Sequence, residues 1–136
     1  MAEGIGTLCI GKNPPWKQGA NLGRRTNPNF VSVPHDRFIE MLTYKAELVG
    51  IQVVVAEESY TSMASFLDGD PLPIYGAAEA PSFSDRRVKR GVYRAADGQH
   101  ITADANGSYN VIRTVAPEAF AQGGRGCGVH PIRLAA

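Results

Sequence analysis

The spacing of apolar and polar residues predicts three regular elements in the first half of the chain. Thr7–Ile10 is a short apolar run between two glycines, which favours a buried strand. Pro34–Val49 has apolar residues three and four positions apart, as on one face of a helix, and Gly50 ends it. Ile51–Ala56 is a nearly continuous run of Val and Ile, typical of a parallel strand buried on both faces. The predicted buried face of the helix comprises Phe38, Met41, Leu42, Lys45, Leu48 and Val49.

The second half of the chain has a less regular pattern. From Met63 to Gln99 the periodicity is weak, and we expect loops with a hairpin around Val92-Tyr93 and Ile101. Asp104–Val115 predicts a closing helix that Pro117 ends. Its predicted apolar face comprises Ala105, Tyr109, Ile112 and Val115. The order of elements predicts an α/β fold.

Charge and cysteine content narrow the class of protein. The 136 residues carry a formal net charge of +1, so only local charge clusters indicate a partner. Cys9 and Cys127 form neither a metal-binding spacing nor a disulfide framework. No apolar stretch approaches the ~20 residues of a membrane span, and no signal peptide is visible. We therefore expect a cytoplasmic chain without membrane contact.

Basic residues gather in two segments of the chain. Clusters of this kind are typical of solvated surfaces and also of contacts with nucleic-acid phosphates, and both interpretations stay open. The residues concerned are Lys12, Lys17, Arg24, Arg25, Arg86, Arg87, Lys89 and Arg90.

Three acidic residues lie at the ends of predicted elements. Glu57 and Glu58 follow the second strand, and Asp104 begins the closing helix. One interpretation is structural, namely a turn after the strand and a cap on the helix. The other is a divalent-metal site, since hard cations require converging carboxylate oxygens and paired metals can assist phosphodiester cleavage.

Several stretches, in order along the chain, resemble the C-terminal part of transposon-encoded TnpB (OrfB) proteins. They are MLTYKAELVGIQVVV, ESYTS and ADANGSYNVIR, while GKNPPWKQGANLGRR and NFVSVPHDRFIEMLTYKAELVGI resemble a branch common in cyanobacteria. The resemblance covers nearly the whole chain. It implies a partial RNase H-like (RuvC-type) domain of an RNA-guided DNA endonuclease, with DNA and guide RNA as partners.

The resemblance also implies a role for particular residues and segments. Asp104 matches the last catalytic aspartate of the family, which binds a metal pair that is usually Mg²⁺. Residues 1–62 correspond to the strand–helix–strand part of the nuclease domain, and 63–100 correspond to a degenerate insertion at the zinc-ribbon position. Residues 101–116 correspond to the closing helix, and 117–136 to a flexible tail.

The sequence departs from the family in three places. The strand with the first catalytic aspartate has no counterpart, so we expect the N-terminal part of the nuclease to be missing. Gly11, followed by Lys12, stands where the family has its glutamate. The stretches MASFLDGDP and YRAADGQHI occupy the places of the two Cys-x-x-Cys pairs without any cysteine, so zinc is not expected.

These departures lead to one hypothesis about the catalytic metal site and to two alternative functions. Glu57 or Glu58 would replace the lost glutamate, and only one would face the metals, because adjacent residues of a strand point in opposite directions. With an incomplete ligand set, we expect a weak or inactive nuclease. The alternatives are a non-catalytic DNA- or RNA-binding remnant of a mobile element, and a stand-alone α/β domain with no nucleic-acid role.

Overall fold

Two parallel strands and a helix form the first of two units into which the chain divides, Met1–Glu57 and Glu58–Ala136. The computed structural model describes residues 4–12, 35–74, 82–84 and 86–120. In the first unit these are β1 (Thr7–Lys12), α1 (His35–Leu48) and β2 (Gln52–Glu57), and β1 pairs with β2 in parallel. The predicted strand–helix–strand order and the α/β class are therefore confirmed.

Strand β1 is longer than its apolar run. Gly11 and Lys12 continue the ladder, opposite Ala56 and Glu57 of β2. The predicted strand end at Ile10 is therefore wrong, since β1 continues to Lys12. Pairing with β2 holds both residues in the sheet, because a backbone ladder depends on the partner strand and not on side-chain polarity.

Helix α1 buries a different face from the predicted one. Ala46 is buried and Ile39 and Leu42 are half-buried, at the spacing of one helical stripe. The predicted face is wrong except for Leu42, since Phe38 is 57% exposed and Leu48 is 66% exposed. The described part of the sheet against which α1 packs has only two strands, so it covers a narrow stripe of the helix.

Strand β2 is not buried on both faces as predicted. Its end residues Gln52 and Glu57 are exposed, and Val55 in its interior is 48% exposed. Among the described residues the sheet holds only β1 and β2, so the second face lacks the covering layer typical of parallel sheets.

An antiparallel sheet and a helix form the second unit. Its elements are β3 (Arg86–Lys89), β4 (Val92–Arg94), β5 (His100–Thr102), α2 (Ala103–Val115) and a 3₁₀ turn (Pro117–Phe120). The strands pair in the order β3–β4–β5, which confirms the hairpin expected around Val92 and Ile101 and adds a third strand. A tight turn at Arg90-Gly91 joins β3 to β4, and Gly91 has the positive φ of 80° that favours glycine.

The core of the second unit is aromatic. Phe66 is fully buried and stacks on Tyr109 of α2, with ring centroids 4.7 Å apart. Phe120 meets both rings edge-on, at 5.0 Å from Phe66 and 5.6 Å from Tyr109. Phe120, in the segment predicted as a flexible tail, therefore packs on this core, whereas residues 117–119 are exposed and 121–136 lie outside the described residues.

Helix α2 ends as predicted but is buried differently. It ends at Val115, before Pro117, and Ala105 and Tyr109 pack on the core. Its fully buried residues, however, are the two asparagines Asn106 and Asn110. Buried amides must be hydrogen-bonded, so these residues serve a purpose that an apolar pattern does not reveal.

Candidate functional site

Asp104 lies on the exposed first turn of α2. The helix is capped by Thr102, whose hydroxyl oxygen accepts a hydrogen bond from the Ala105 N–H at 3.3 Å. The capping role that sequence reasoning considered for Asp104 therefore belongs to Thr102. The carboxylate of Asp104 is left at a helix N-terminus, where negative charge is favoured.

Glu57 and Glu58 lie on either side of the boundary between the two units. Glu57 is the last residue of β2 and is exposed, opposite Lys12 in the parallel ladder. Glu58 follows the strand, is half-buried, and belongs to the same unit as Asp104. That one of the two glutamates shares a metal with Asp104 stays a prediction.

The described residues do not fit a complete two-metal centre. Within residues 4–12, 35–74, 82–84 and 86–120, no group of three or more His, Cys, Asp or Glu is arranged to hold a metal ion. A magnesium pair for phosphodiester cleavage requires converging carboxylates, so we derive no cleavage step for this chain.

The densest group of basic residues lies on the β3–β4 hairpin. Five basic residues and no acidic one lie between Arg86 and Arg94. In the antiparallel register Arg86 stands opposite Arg94, and Lys89, Arg90 and Arg94 are exposed. We call this segment the basic hairpin. Arg94 was missed by sequence reasoning, because only strand pairing brings it beside the cluster at 86–90.

An open cleft lies beside the basic hairpin. It has a volume of about 360 Å³ and is lined by Ser84, Arg94 and the turn residues Ala95, Ala96 and Gly98. Arg94 is the one charged residue among these lining residues, and a guanidinium suits an anionic group because Arg offers several donors in a planar fork.

The N-terminal basic residues have a different setting. Lys12 lies in β1, and its ammonium group forms an ion pair of 2.8 Å with Asp36 at the start of α1. Both side chains are partly exposed, so the pair contributes little to stability. Lys17, Arg24 and Arg25 lie outside the described residues. Their phosphate-binding role, like that of Lys12, stays a prediction.

A buried polar network in the second unit was also missed by sequence reasoning. The Asn106 side chain accepts from the Phe66 N–H at 2.9 Å and donates to the Ala64 carbonyl at 2.8 Å. Asn110 donates to the carbonyls of Ala64 and Thr61, at 2.7 and 2.9 Å. Two asparagines four residues apart in a helix were the only available signal, because such residues are disfavoured in helix interiors.

The buried Asp70 holds a second group of hydrogen bonds in the same unit. Its carboxylate accepts from the N–H groups of Ser65 at 2.9 Å and Ser84 at 2.8 Å, and from the Ser84 hydroxyl. Burial raises the pKa of Asp70, but these hydrogen bonds and the charge of Arg113 outweigh it, so the net pKa lies below the ordinary value. Asp70 is therefore held as an anion inside the protein.

Comparisons with known proteins identify one family. The family model described as Cas12f1-like, TNB domain matches residues 35–111, which is more than half of the chain. The matched region runs from α1 to the middle of α2 and includes the basic hairpin and Asp104. No curated protein and no solved structure matches the chain significantly. In the part of the chain that the structure describes, no helix has the length and apolarity needed to cross a bilayer.

Proposed function

Because the chain belongs to the Cas12f1-like TNB-domain family, which is of the TnpB/Cas12 type, we propose that it binds nucleic acid as part of an RNA-guided nuclease. DNA and guide RNA are its proposed partners. The chain does not cut DNA efficiently by itself. Its β1–α1–β2 unit serves as part of an RNase H-like nuclease domain, and the source of the protein is a mobile element.

The basic hairpin is the observation that carries the binding proposal. It lies within the matched region and concentrates positive charge on two paired strands of a chain whose net charge is only +1. Lys and Arg side chains on an exposed hairpin release counterions when they contact phosphates, which makes affinity depend on salt. Arg94, which lines the open cleft beside the hairpin, offers a guanidinium to a phosphate.

The acidic residues support the proposal that the chain does not cut DNA efficiently by itself. Asp104 is exposed on α2, but it has no group of two further acidic, His or Cys residues around it among the described residues. In the proposed nuclease, Asp104 contributes to a metal site whose remaining ligands lie elsewhere in the nuclease. Glu57 or Glu58 replaces the family's glutamate, whose position Gly11 occupies in this sequence. Without a complete ligand set, phosphodiester cleavage by this chain should be weak or absent.

Binding is tested by fluorescence anisotropy with short labelled single-stranded DNA and RNA, at about 50 and 200 mM salt. The variant R90Q/R94Q removes two exposed charges of the basic hairpin. We expect lower affinity on both probes. The slope of log affinity against log salt concentration should become shallower by about 1.4, since each of the two lost contacts with a single strand accounts for about 0.7.

A matched control removes the same charge from a different surface. Arg37 and Lys45 are exposed on α1, and R37Q/K45Q changes the net charge as much as R90Q/R94Q does. We expect this variant to bind like the parent. An equal loss of affinity in both variants, or no salt-dependent binding by the parent chain, would contradict the proposal.

The expected lack of DNA cleavage is tested separately, by incubating a plasmid with the chain and Mg²⁺. We expect no cleavage above background for the parent chain and for D104A, while both bind nucleic acid equally. Robust cleavage that D104A abolishes would show a complete catalytic centre and refute this part.

A further inference from the structure

The two segments without cysteine at the zinc-ribbon position form two similar turns. Ser65–Asp70 closes with a bond from the Asp70 N–H to the Ser65 carbonyl at 3.0 Å, and Gly69 has a φ of 73°. Ala95–Gln99 closes with a bond from the Ala95 N–H to the Gln99 carbonyl at 2.9 Å, and Gly98 has a φ of 90°. Each turn therefore uses a glycine in the left-handed region.

Asp68 connects these two turns. One carboxylate oxygen accepts from the Ser65 hydroxyl at 2.7 Å, within the first turn. The other accepts from the Ala96 N–H at 2.9 Å, in the second turn. A single side chain thus joins the two turns through hydrogen bonds.

Asp70 connects the first turn to a third segment. It accepts the N–H of Ser65 and both the N–H and the hydroxyl of Ser84, and it is only 4% exposed. Arg113 of α2 donates to the Asp70 carbonyl oxygen at 2.8 Å, which fixes the backbone at the same point. Hydrogen bonds to a carboxylate are among the stronger ones in proteins.

These residues do not fit a zinc ion. The two turns offer Ser and Asp but no cysteine, and the carboxylates of Asp68 and Asp70 are already engaged by N–H and O–H donors. A structural zinc site requires four ligands, mostly thiolate or imidazole. Within the described residues no group of His, Cys, Asp and Glu is arranged for a metal.

We infer that Asp68 and Asp70 take the place of the ribbon's metal and hold the second unit together through hydrogen bonds, in a carboxylate clasp formed with Ser65, Ser84 and Ala96. The described part of the second unit, residues 58–74, 82–84 and 86–120, consequently folds without a metal ion. This inference is independent of the proposed function, since it concerns how the unit folds and not what it binds.

The test uses the purified 136-residue chain, its metal content by mass spectrometry, and thermal unfolding by circular dichroism with and without EDTA. We expect far less than one zinc per chain and the same Tm in both conditions. One tightly held zinc per chain, together with a fall in Tm on chelation, would overturn the inference.

Variants test the clasp itself. D70A leaves the Ser65 and Ser84 N–H groups without their acceptor, and we expect the Tm to fall by about 5–15 °C. D97A is the matched control, because among the described residues the exposed Asp97 carboxylate bonds only to Gln99, within its own turn. We expect a change of no more than about 3 °C there. Equal effects of D70A and D97A would contradict the clasp.

A measurement on the parent chain keeps the test decisive if D70A does not fold. Amide hydrogen exchange followed by NMR should show protection of the Ser65 and Ala96 N–H groups, which donate to Asp70 and Asp68. The exposed Asp97 N–H, which has no acceptor among the described residues, serves as the comparison. Exchange of the Ser65 and Ala96 N–H groups as fast as that of the Asp97 N–H would overturn the inference.

Discussion

Replacing Asn106 by alanine should destabilise the second unit strongly, although the residue is polar and lies in a helix. Asn106 is fully buried and connects α2 to the segment that carries Phe66, the centre of the aromatic core. The substitution removes the acceptor of the buried Phe66 N–H and one of two donors to the Ala64 carbonyl.

The magnitude follows from which groups lose their partner. The Phe66 N–H is left unsatisfied in the interior, which costs about 1–3 kcal/mol. The Ala64 carbonyl keeps its hydrogen bond from Asn110, so the loss of its bond from Asn106 adds little to the destabilisation. Loss of packing adds about 1 kcal/mol, and the higher helix propensity of alanine returns about 0.5 kcal/mol. We therefore expect the free energy of unfolding to fall by about 1.5–3.5 kcal/mol.

Urea unfolding followed by circular dichroism measures this change. S108A is the control, because Ser108 is exposed on the same helix, and its effect should stay within about 0.5 kcal/mol. The double variant N106A/N110A leaves the Ala64 carbonyl without either amide donor, so its loss should exceed the sum of the two single losses by about 1 kcal/mol.

Two results would refute this reasoning. If N106A lost no more stability than S108A, the hydrogen bond between Asn106 and the Phe66 N–H would have no energetic importance. If the losses of N106A and N110A were additive, the two amides would not share the Ala64 carbonyl.

Two further predictions concern Gly107 and Asp70. G107A should stabilise α2 by about 0.5–1 kcal/mol, because a Cβ there meets no atom within 4 Å and alanine is the better helix former; a loss of stability in urea unfolding would show that the site is crowded. The pKa of Asp70 is lowered by folding, so its contribution is complete above the unfolded value of about 4 and is lost as pH falls through the lower folded value. Urea unfolding between pH 6 and pH 2 should therefore show less pH dependence in D70N than in the parent, whereas identical profiles would contradict the anionic state of Asp70.

The local pattern along the chain was sufficient to predict β1, β2, both helices and the hairpin around Val92 and Ile101, but it did not predict β3. Apolar runs indicated β1 and β2, three- and four-residue spacing indicated both helices, and Pro117 indicated the end of α2. These signals are local, because strand length, helical periodicity and the missing N–H of proline do not depend on distant residues. The acidic and basic candidates were also visible, although the role of each stays a prediction.

Only the tertiary structure decided which side of each element is buried and which polar groups meet. Ala46 and not Phe38 faces the sheet, because a narrow two-stranded layer selects one stripe of α1. Asn106 is buried because the backbone of Phe66, 40 residues away in sequence, requires an acceptor. The Asp68 carboxylate bonds to the Ala96 N–H, 28 residues away in sequence, because this N–H also requires an acceptor. Such contacts satisfy backbone groups that the fold places together, and no pattern within one segment of the sequence records them.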